Sequence, residues 1–293
     1  MRPPPFAYAD PRQCHEVLAL LAQYGDDAKI LAGGQSLLPM LNFRLARPGY
    51  LVDINHVDEL DGIRPLGDAG LSIGAMTRHR TVEQSALVRE RCPLLHEAIQ
   101  HVGHLQIRHR GTIGGSLAHA DPAAELPGVV TALGATLRIR GVKGERTVRA
   151  SEFFLGPLTT AIRADELLIA VEIPDWPVGT GMAFCEFSRR QGDFALSGAA
   201  ALVALDVNGN VARCGLALIA VGGRPFDGNV IVTDLLKGEK PAEALWRAVA
   251  ERVGQAVEPN TDIHAPADYR RHLAKVMTAK ALAIAVRRTA TKL

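Results

Sequence analysis

The chain has no two cysteines close enough to share a metal ion: Cys14, Cys92, Cys185 and Cys214 are too widely spread for any C-x-x-C spacing. No zinc site and no cysteine-ligated iron–sulfur cluster can be read locally, and the four suit small buried hydrophobes in a reducing compartment. Two nucleotide signatures are also missing. There is no G-x-x-x-x-G-K-[ST], which excludes a P-loop, and no G-x-G-x-x-G after a strand, which excludes the ordinary dinucleotide fingerprint. No apolar run reaches the roughly 20 residues that a bilayer span needs, and the opening "MRPPPFAYADP" lacks the apolar stretch of a signal peptide, so the expected location is the cytoplasm. An excess of one charge is lacking too: 33 Lys and Arg face 31 Asp and Glu, a net charge of +2 that gives no track for a nucleic acid. Neither a nucleophile elbow nor a Ser-His-Asp or Cys-His arrangement with supporting context occurs. Any chemistry here must come from a cofactor.

What is present is length and apolar content, 293 residues at 47% hydrophobic, which predicts a folded chain of two domains. "ADPRQCHEVLALLAQYG" predicts a helix with Asp10 as N-cap, Pro11 in the first turn, Gln13 at capping-box spacing and Gly25 as its stop. "AKILA" follows as a buried strand ended by Gly33 and Gly34, and "GYLVDIN" is another. "SLLPMLNFRL" reads as a short helix or turn, "GLSIGAM" as a strand, and "TVEQSALVRE" as a helix opened by Thr81 and Gln84. "CPLLHEAIQHVG" and "PAAELPGVVTAL" are further helices, with strands at "ATLRIRG" and "ELLIAVEIP". "PDWPVGTG", residues 174–181, marks a domain boundary by its prolines and glycines. Beyond it the pattern is of antiparallel strands, an Asn208-Gly209 hairpin turn, and two helices at about 241–257 and 266–288. The expected division is 1–177, with subdomains of about 1–55 and 56–177, followed by 178–293.

Two stretches hold the chemistry. "AGGQS" ends the strand at Ala32, and "GTIGGSLAHADPAAEL", residues 111–126, is equally bare of side chains. Ala32, Gly33, Gly34, Gln35 and Ser36 on one side and Thr112, Ile113, Gly114, Gly115 and Ser116 on the other would form two facing walls of amides and hydroxyls for a diphosphate. Each donor to a charged oxygen contributes on the order of 1.5–3 kcal/mol, and side chains at the paired glycines would hold the phosphates out of reach. Asp121 and Glu125 then have two readings: acceptors for ribose hydroxyls or an adenine amine, or acids favoured by the first turn of a helix.

The pair "AGGQSLLPMLNFRLARP" and "RGTIGGSLAHADPAAELP", followed by "RRQGDFALSGAAALV", resembles the FAD-binding medium subunit of the molybdenum hydroxylases, the group of xanthine dehydrogenase and carbon monoxide dehydrogenase. The likeness covers nearly the whole chain, and its two glycine motifs are specific only together. It implies an α+β fold: an FAD-binding domain of the vanillyl-alcohol-oxidase and p-cresol-methylhydroxylase type, made of two α/β subdomains, and a smaller C-terminal domain of antiparallel strands and helices. It implies non-covalent FAD, with Ala32 to Leu37 and Thr112 to Ser116 at the diphosphate and Glu125 facing the ribose or adenine end. Family members often carry Asn or Asp where this chain has Ser116. It further implies an electron-transfer role in which a large molybdopterin subunit oxidises substrate, a small subunit carries [2Fe–2S] clusters, and the flavin passes electrons on, as a dimer of heterotrimers.

"RRQGDFALSG" is placed beside the flavin ring, with Gly192 allowing close approach and Asp193 holding a donor; a polar hairpin turn is the alternative. Leu168 and Ile169 either pack on the ring, as apolar residues do in similar proteins, or are strand core. His101, His104, His109 and His119 lack a ligand spacing, so no metal is expected. Arg108 and Arg110 could offset diphosphate charge. Two other functions remain open, a self-contained flavin oxidoreductase of the same fold and a nucleotide-binding module without redox turnover.

Overall fold

The computed structural model describes residues 2–67 and 69–289. It opens with β1 (Ala7–Ala9), α1 (Cys14–Tyr24), β2 (Ala28–Leu31), α2 (Leu37–Asn42) and β3 (Tyr50–Asp53). The three strands form a parallel sheet in the order β1-β3-β2, so Leu31 at the end of β2 lies beside Asp53 at the end of β3. Helix α1 is held by Cys14, Val17, Leu18 and Leu21, the i, i+3, i+4, i+7 stripe of an amphipathic helix. Its start corrects the sequence expectation: Gln13, not Asp10, is the N-cap. The Asp10 carboxylate is taken by Arg12 and His56, while Glu16 accepts from the N–H groups of Arg12 and Gln13.

Next come β4 (Ile63–Pro65), β5 (Gly70–Gly74), α3 (His79–Gln84), α4 (Ala86–Arg91), α5 (Pro93–Ala98), α6 (Leu105–Arg110), α7 (Ile113–His119) and α8 (Glu125–Leu133). They are followed by β6 (Thr136–Gly141), β7 (Gly144–Arg149), α9 (Ala150–Phe153), β8 (Phe154–Gly156), β9 (Thr159–Thr160) and β10 (Glu166–Pro174). An antiparallel sheet runs β4-β5-β10-β6-β7, and β8 and β9 make a separate hairpin. Two expectations change here. Thr81 lies inside a helix rather than opening one, because Ser85 breaks the segment and caps α4 by accepting from the Val88 N–H at 3.2 Å. The second glycine stretch is not an open loop but the start of α7, capped by Thr112.

The last part is β11 (Gly181–Phe187), β12 (Ser197–Leu205), β13 (Val211–Ile219), β14 (Phe226–Asp227), α10 (Asn229–Leu236), α11 (Glu243–Ala256) and α12 (Ala267–Thr289). Its sheet runs β11-β12-β13-β14, all antiparallel, with Gly209 at φ +79° in the β12–β13 turn. Alternation sorts the side chains. Ala183, Cys185, Ala201 and Val203 face α11 and α12, whereas Met182, Phe184, Ala200 and Leu202 face the preceding part of the chain.

Helix α8 fills the space between the two antiparallel sheets and is buried at every residue. A helix apolar all round has no solvent face to satisfy, which is why "ELPGVVTAL" shows no polar stripe. Gly128 sits mid-helix, where glycine costs about 1 kcal/mol relative to Ala. A Cβ there would come within 2.4 Å of the Ile219 side chain, so the bare backbone is what lets α8 lie on β13. One continuous core runs from Leu71 and Ile73 through α8 to Leu202 and Ile219. All four cysteines are buried and free, and among the described residues no helix is long and apolar enough to cross a membrane.

Candidate functional site

The two glycine stretches meet. Strand β2 delivers residues 32–36 to the start of α7, and a Cβ built on Gly33 would stand 2.3 Å from the Arg110 carbonyl oxygen and 2.8 Å from Gly111 Cα. A Cβ on Gly115 would stand 3.7 Å from that of Ala32. Gly34, Gln35 and Ser36 together with Gly115 and Ser116 remain at least partly exposed beside this contact.

The reason for glycine differs from the expected one at two positions. The Cβ vectors of Gly33 and Gly114 point at other backbone, Arg110 for the first and Ala75 at 2.5–2.8 Å for the second. These two serve the approach of chain to chain. Gly34 is required by its φ of +74°, a left-handed turn that few other residues adopt at low cost.

The amides divide unequally. In the second stretch they are consumed: Ile113 N–H donates to Thr77, Gly114 to Ala75, Gly115 to the Thr112 hydroxyl at 3.1 Å and Ser116 to the Thr112 carbonyl. This is what a helix start does with its first N–H groups. In the first stretch, the N–H groups of Gly33, Gly34, Gln35, Ser36 and Leu37 donate to no acceptor among the described residues. The carbonyls alternate the other way. Ala32 accepts from the Asn55 amide at 2.9 Å, Gly33 from the Gln35 side chain at 3.2 Å, Gly34 from Leu38 N–H and Ser36 from Met40 N–H. A run of backbone donors with their carbonyls tied elsewhere is an anion cradle. On the second stretch the buried Thr112 hydroxyl accepts from Gly115 N–H, and the half-buried Ser116 hydroxyl has no hydrogen-bond partner among the described residues. The expected symmetry of two amide walls is therefore not found: the amides without acceptors all lie on the first stretch.

The acids follow on the same side of α7. Asp121 is half-buried and closes an Asx turn on Ala123 N–H at 2.8 Å. Glu125 opens α8 and is 7% exposed; burial, and then the charge of Asp121, push its carboxyl up to about 7. Glu186 on β11 has a buried Oε2 with no hydrogen-bond partner among the described residues, and burial followed by the Glu125 charge pushes it up to about 8. Leu168 and Ile169 are both buried, the first in the main core and the second under α1, with the register of β10 shifting at Ile169. Asp193 is partly exposed near Arg189, at 3.7 Å, in the turn between β11 and β12. Gly192 in that turn, at φ +86°, is covered by the His104 ring, which a Cβ would meet at 2.4 Å.

Sequence reading missed the groups behind the cradle. Asn55 and Arg78 link the two stretches, and His79 donates from Nε2 to the Thr112 carbonyl at 2.9 Å. His79 is 4% exposed, and burial pulls it down to about 4, so it is neutral at pH 7. No spacing announces these residues; the one hint was a polar Asn55 two residues past a strand that pairs with the glycine-ended one. Of the four sequence-clustered histidines, His101 lies edge-on to Phe184 at 5.3 Å and His104 covers Gly192, and among the described residues no group of His, Cys, Asp and Glu assembles as a metal site.

Residues 4–176 match the family model of the FAD binding domain in molybdopterin dehydrogenase, and residues 182–285 match that of the CO dehydrogenase flavoprotein C-terminal domain. The chain belongs to the FAD-binding family of the molybdopterin dehydrogenases. This flavoprotein is 42% identical over 292 residues to the 6-hydroxypseudooxynicotine dehydrogenase complex subunit alpha of Paenarthrobacter nicotinovorans, covering 98% of this chain and 97% of that one. It is 39% identical to the carbon monoxide dehydrogenase medium chain of Hydrogenophaga pseudoflava, covering 96% and 97%. Among solved structures, carbon monoxide dehydrogenase from Hydrogenophaga pseudoflava lacking the Mo-pyranopterin moiety aligns with a TM-score of 0.95 at 38% identity, covering 98% of this chain and 99% of that one. Quinoline 2-oxidoreductase from Pseudomonas putida 86 aligns at 0.92 with 40% identity, covering 99% of each. The flavoprotein's run of amides without acceptors among the described residues fits the diphosphate of the family's cofactor.

Proposed function

We propose that this chain binds FAD non-covalently and serves as the electron-transfer flavoprotein subunit of a molybdenum hydroxylase complex. The observation that carries the reading is the run of five amides from Gly33 to Leu37, none with an acceptor among the described residues, on a stretch that packs against the start of α7. Five donors at about 1.5–3 kcal/mol each are of the size needed to offset the roughly 4–15 kcal/mol cost of association, so the cradle supports nucleotide binding. Ala32, Gly33, Gly34, Gln35, Ser36 and Leu37 hold the diphosphate from one side. Thr112 and Ser116 hold it from the other, on a helix start kept in place by Ile113, Gly114 and Gly115. Asp121 and Glu125 take the ribose or adenine end. Leu168 and Ile169 pack toward the ring, and Asp193 holds a donor beside it.

When bound, the flavin supplies one- or two-electron transfer. The chain's own task is to grip the diphosphate, keep water from the buried side and hold charge near the ring. At the ribose or adenine end, Glu125 sets the charge, because a carboxyl titrating near neutrality carries a proton for part of the time.

The finer reading follows the family resemblance. The flavin domain is of the vanillyl-alcohol-oxidase type, with subdomains of about 1–55 and 56–177, and residues 178–293 form the second domain. A large molybdopterin subunit and a small iron–sulfur subunit complete a heterotrimer that pairs into a dimer in the cytoplasm. Co-purification of the chain with its neighbours, followed by absorption spectroscopy and metal analysis, tests the proposal. Stoichiometric FAD on this chain and molybdenum and iron on the others is the expected result. A chain that stays colourless and takes up no FAD on titration refutes it.

A further inference from the structure

A trans peptide unit is planar and points its carbonyl and its N–H in opposite directions. Fixing the Ala32 carbonyl therefore aims the Gly33 N–H. That carbonyl is fixed by one side chain, Asn55, whose Nδ2 donates to it at 2.9 Å. Asn55 is itself immobilised: its Nδ2 also reaches Asp53 Oδ1 at 2.5 Å, and its own N–H donates to the same oxygen at 2.9 Å. Tyr8 on β1 donates to the other Asp53 oxygen at 2.7 Å, so the anchor extends across the parallel sheet.

The remaining Asn55 atom carries the link onward. Its Oδ1 accepts from Arg78 Nη2 at 2.6 Å, and Arg78 Nη1 donates to the Arg110 carbonyl. Arg110 is the residue against which Gly33 packs, and it directly precedes Gly111 and Thr112. His79, next to Arg78, grips the other side of the same turn: its backbone N–H donates to the Gly111 carbonyl at 2.9 Å and its Nε2 to that of Thr112. An isolated bridge pairs Arg78 with Thr112. One short relay, Ala32 to Asn55 to Arg78 to Arg110, thus joins the two stretches of the proposed cleft, and no member of it belongs to either stretch's glycines.

We propose that Asn55 and Arg78, with His79 behind them, are positioning residues that aim the Gly33 amide and set the gap between the two glycine stretches to the width of a diphosphate. The inference rests on the flavin reading given above. Arginine suits the task because its planar fork spans two acceptors at a fixed separation, which a lysine ammonium does not. Glycine packing alone brings the stretches together; the relay decides how far apart they stop and which way the peptide between Ala32 and Gly33 faces.

The test uses the full chain, purified with whatever subunits accompany it, stripped of bound nucleotide, as wild type, Asn55→Ala and Arg78→Lys. FAD and ADP are titrated into each, and the nucleotide-free unfolding midpoint is measured alongside. The expected result is a loss of affinity of about tenfold to a hundredfold for FAD, matched for ADP because both carry the diphosphate, with the nucleotide-free midpoint little changed. Affinities within twofold of wild type overturn the proposal. So does a loss of affinity that comes with an equal loss of nucleotide-free stability, which marks a merely structural role. Wild-type protein that takes neither FAD nor ADP overturns the flavin reading itself, and this inference with it.

Discussion

Replacing Gly33 with Ala separates packing from turn chemistry. Its conformation needs no glycine, since its φ lies outside the left-handed region, so any effect comes from space. The added methyl would stand 2.3 Å from the Arg110 carbonyl oxygen, 2.8 Å from Gly111 Cα and 2.9 Å from the Arg110 carbonyl carbon, all backbone atoms that cannot rotate aside. Relief needs a separation of about 1 Å between the two stretches, and overpacking of this kind costs about 1–3 kcal/mol. The same shift moves the Gly33 and Gly34 amides off the diphosphate, and one or two charge-assisted hydrogen bonds lost correspond to about tenfold or more in FAD affinity. Gly156→Ala is the control, since nothing lies within 4 Å of a Cβ there and its φ is ordinary. Thermal unfolding and flavin content measured for both variants give the answer. Gly33→Ala protein that unfolds with the wild type and retains full flavin would refute the claim that bare backbone at this position is needed for the two stretches to approach.

Two further outcomes concern charge. Glu186 holds a proton in the folded chain up to about pH 8, while its ordinary value is 4.5, so the folded state binds more protons than the unfolded one in between, and stability falls as pH rises through that window. Glu186→Gln should leave the unfolding midpoint unchanged at pH 5 and raise it at pH 8; equal shifts at both would contradict the assignment. Arg146 makes a two-pronged contact with Glu166, both arms 2.7 Å, and Glu166 is 7% exposed. The Arg146 guanidinium holds that carboxyl below 4.5, so its contribution is present above that pH and disappears as pH falls through the lowered value. Arg146→Met should cost about 1–3 kcal/mol at pH 7 after allowance for the partly exposed arginine, with the deficit narrowing in denaturant titrations near pH 3.

Much of the fold could be read from local pattern. Strands "AKIL" and "GYLVDIN", helix α1 and the long C-terminal helices carry periodicity that survives without tertiary help, and their bounds moved by a few residues at most. The short elements were harder. β4, β8 and β9 have only two or three residues, too few for a period to emerge, and the break at Ser85 depends on a cap that looks the same as the one expected at Thr81. At the site, glycines and hydroxyls were visible because their sequence is unusual, but which amides stay free was not. That depends on Ala75 and Thr77, which take the N–H groups of the second stretch from a strand end nearly forty residues earlier. Asn55, Arg78 and His79 were hidden for the same reason, since their partners are distant in sequence and their residue types are common.

The core that passes from Leu71 through α8 to Ile219 has a practical meaning for anyone dividing this polypeptide. A cut near residue 177 would leave Met182, Phe184, Leu202 and Ile219 on one fragment with an oily sheet face open to water, and the other fragment with a helix lacking its roof. Neither piece should stay dispersed when produced alone, whereas the two made together should find each other and reassemble. Despite two recognisable sequence modules, heat or denaturant should melt this molecule in one step.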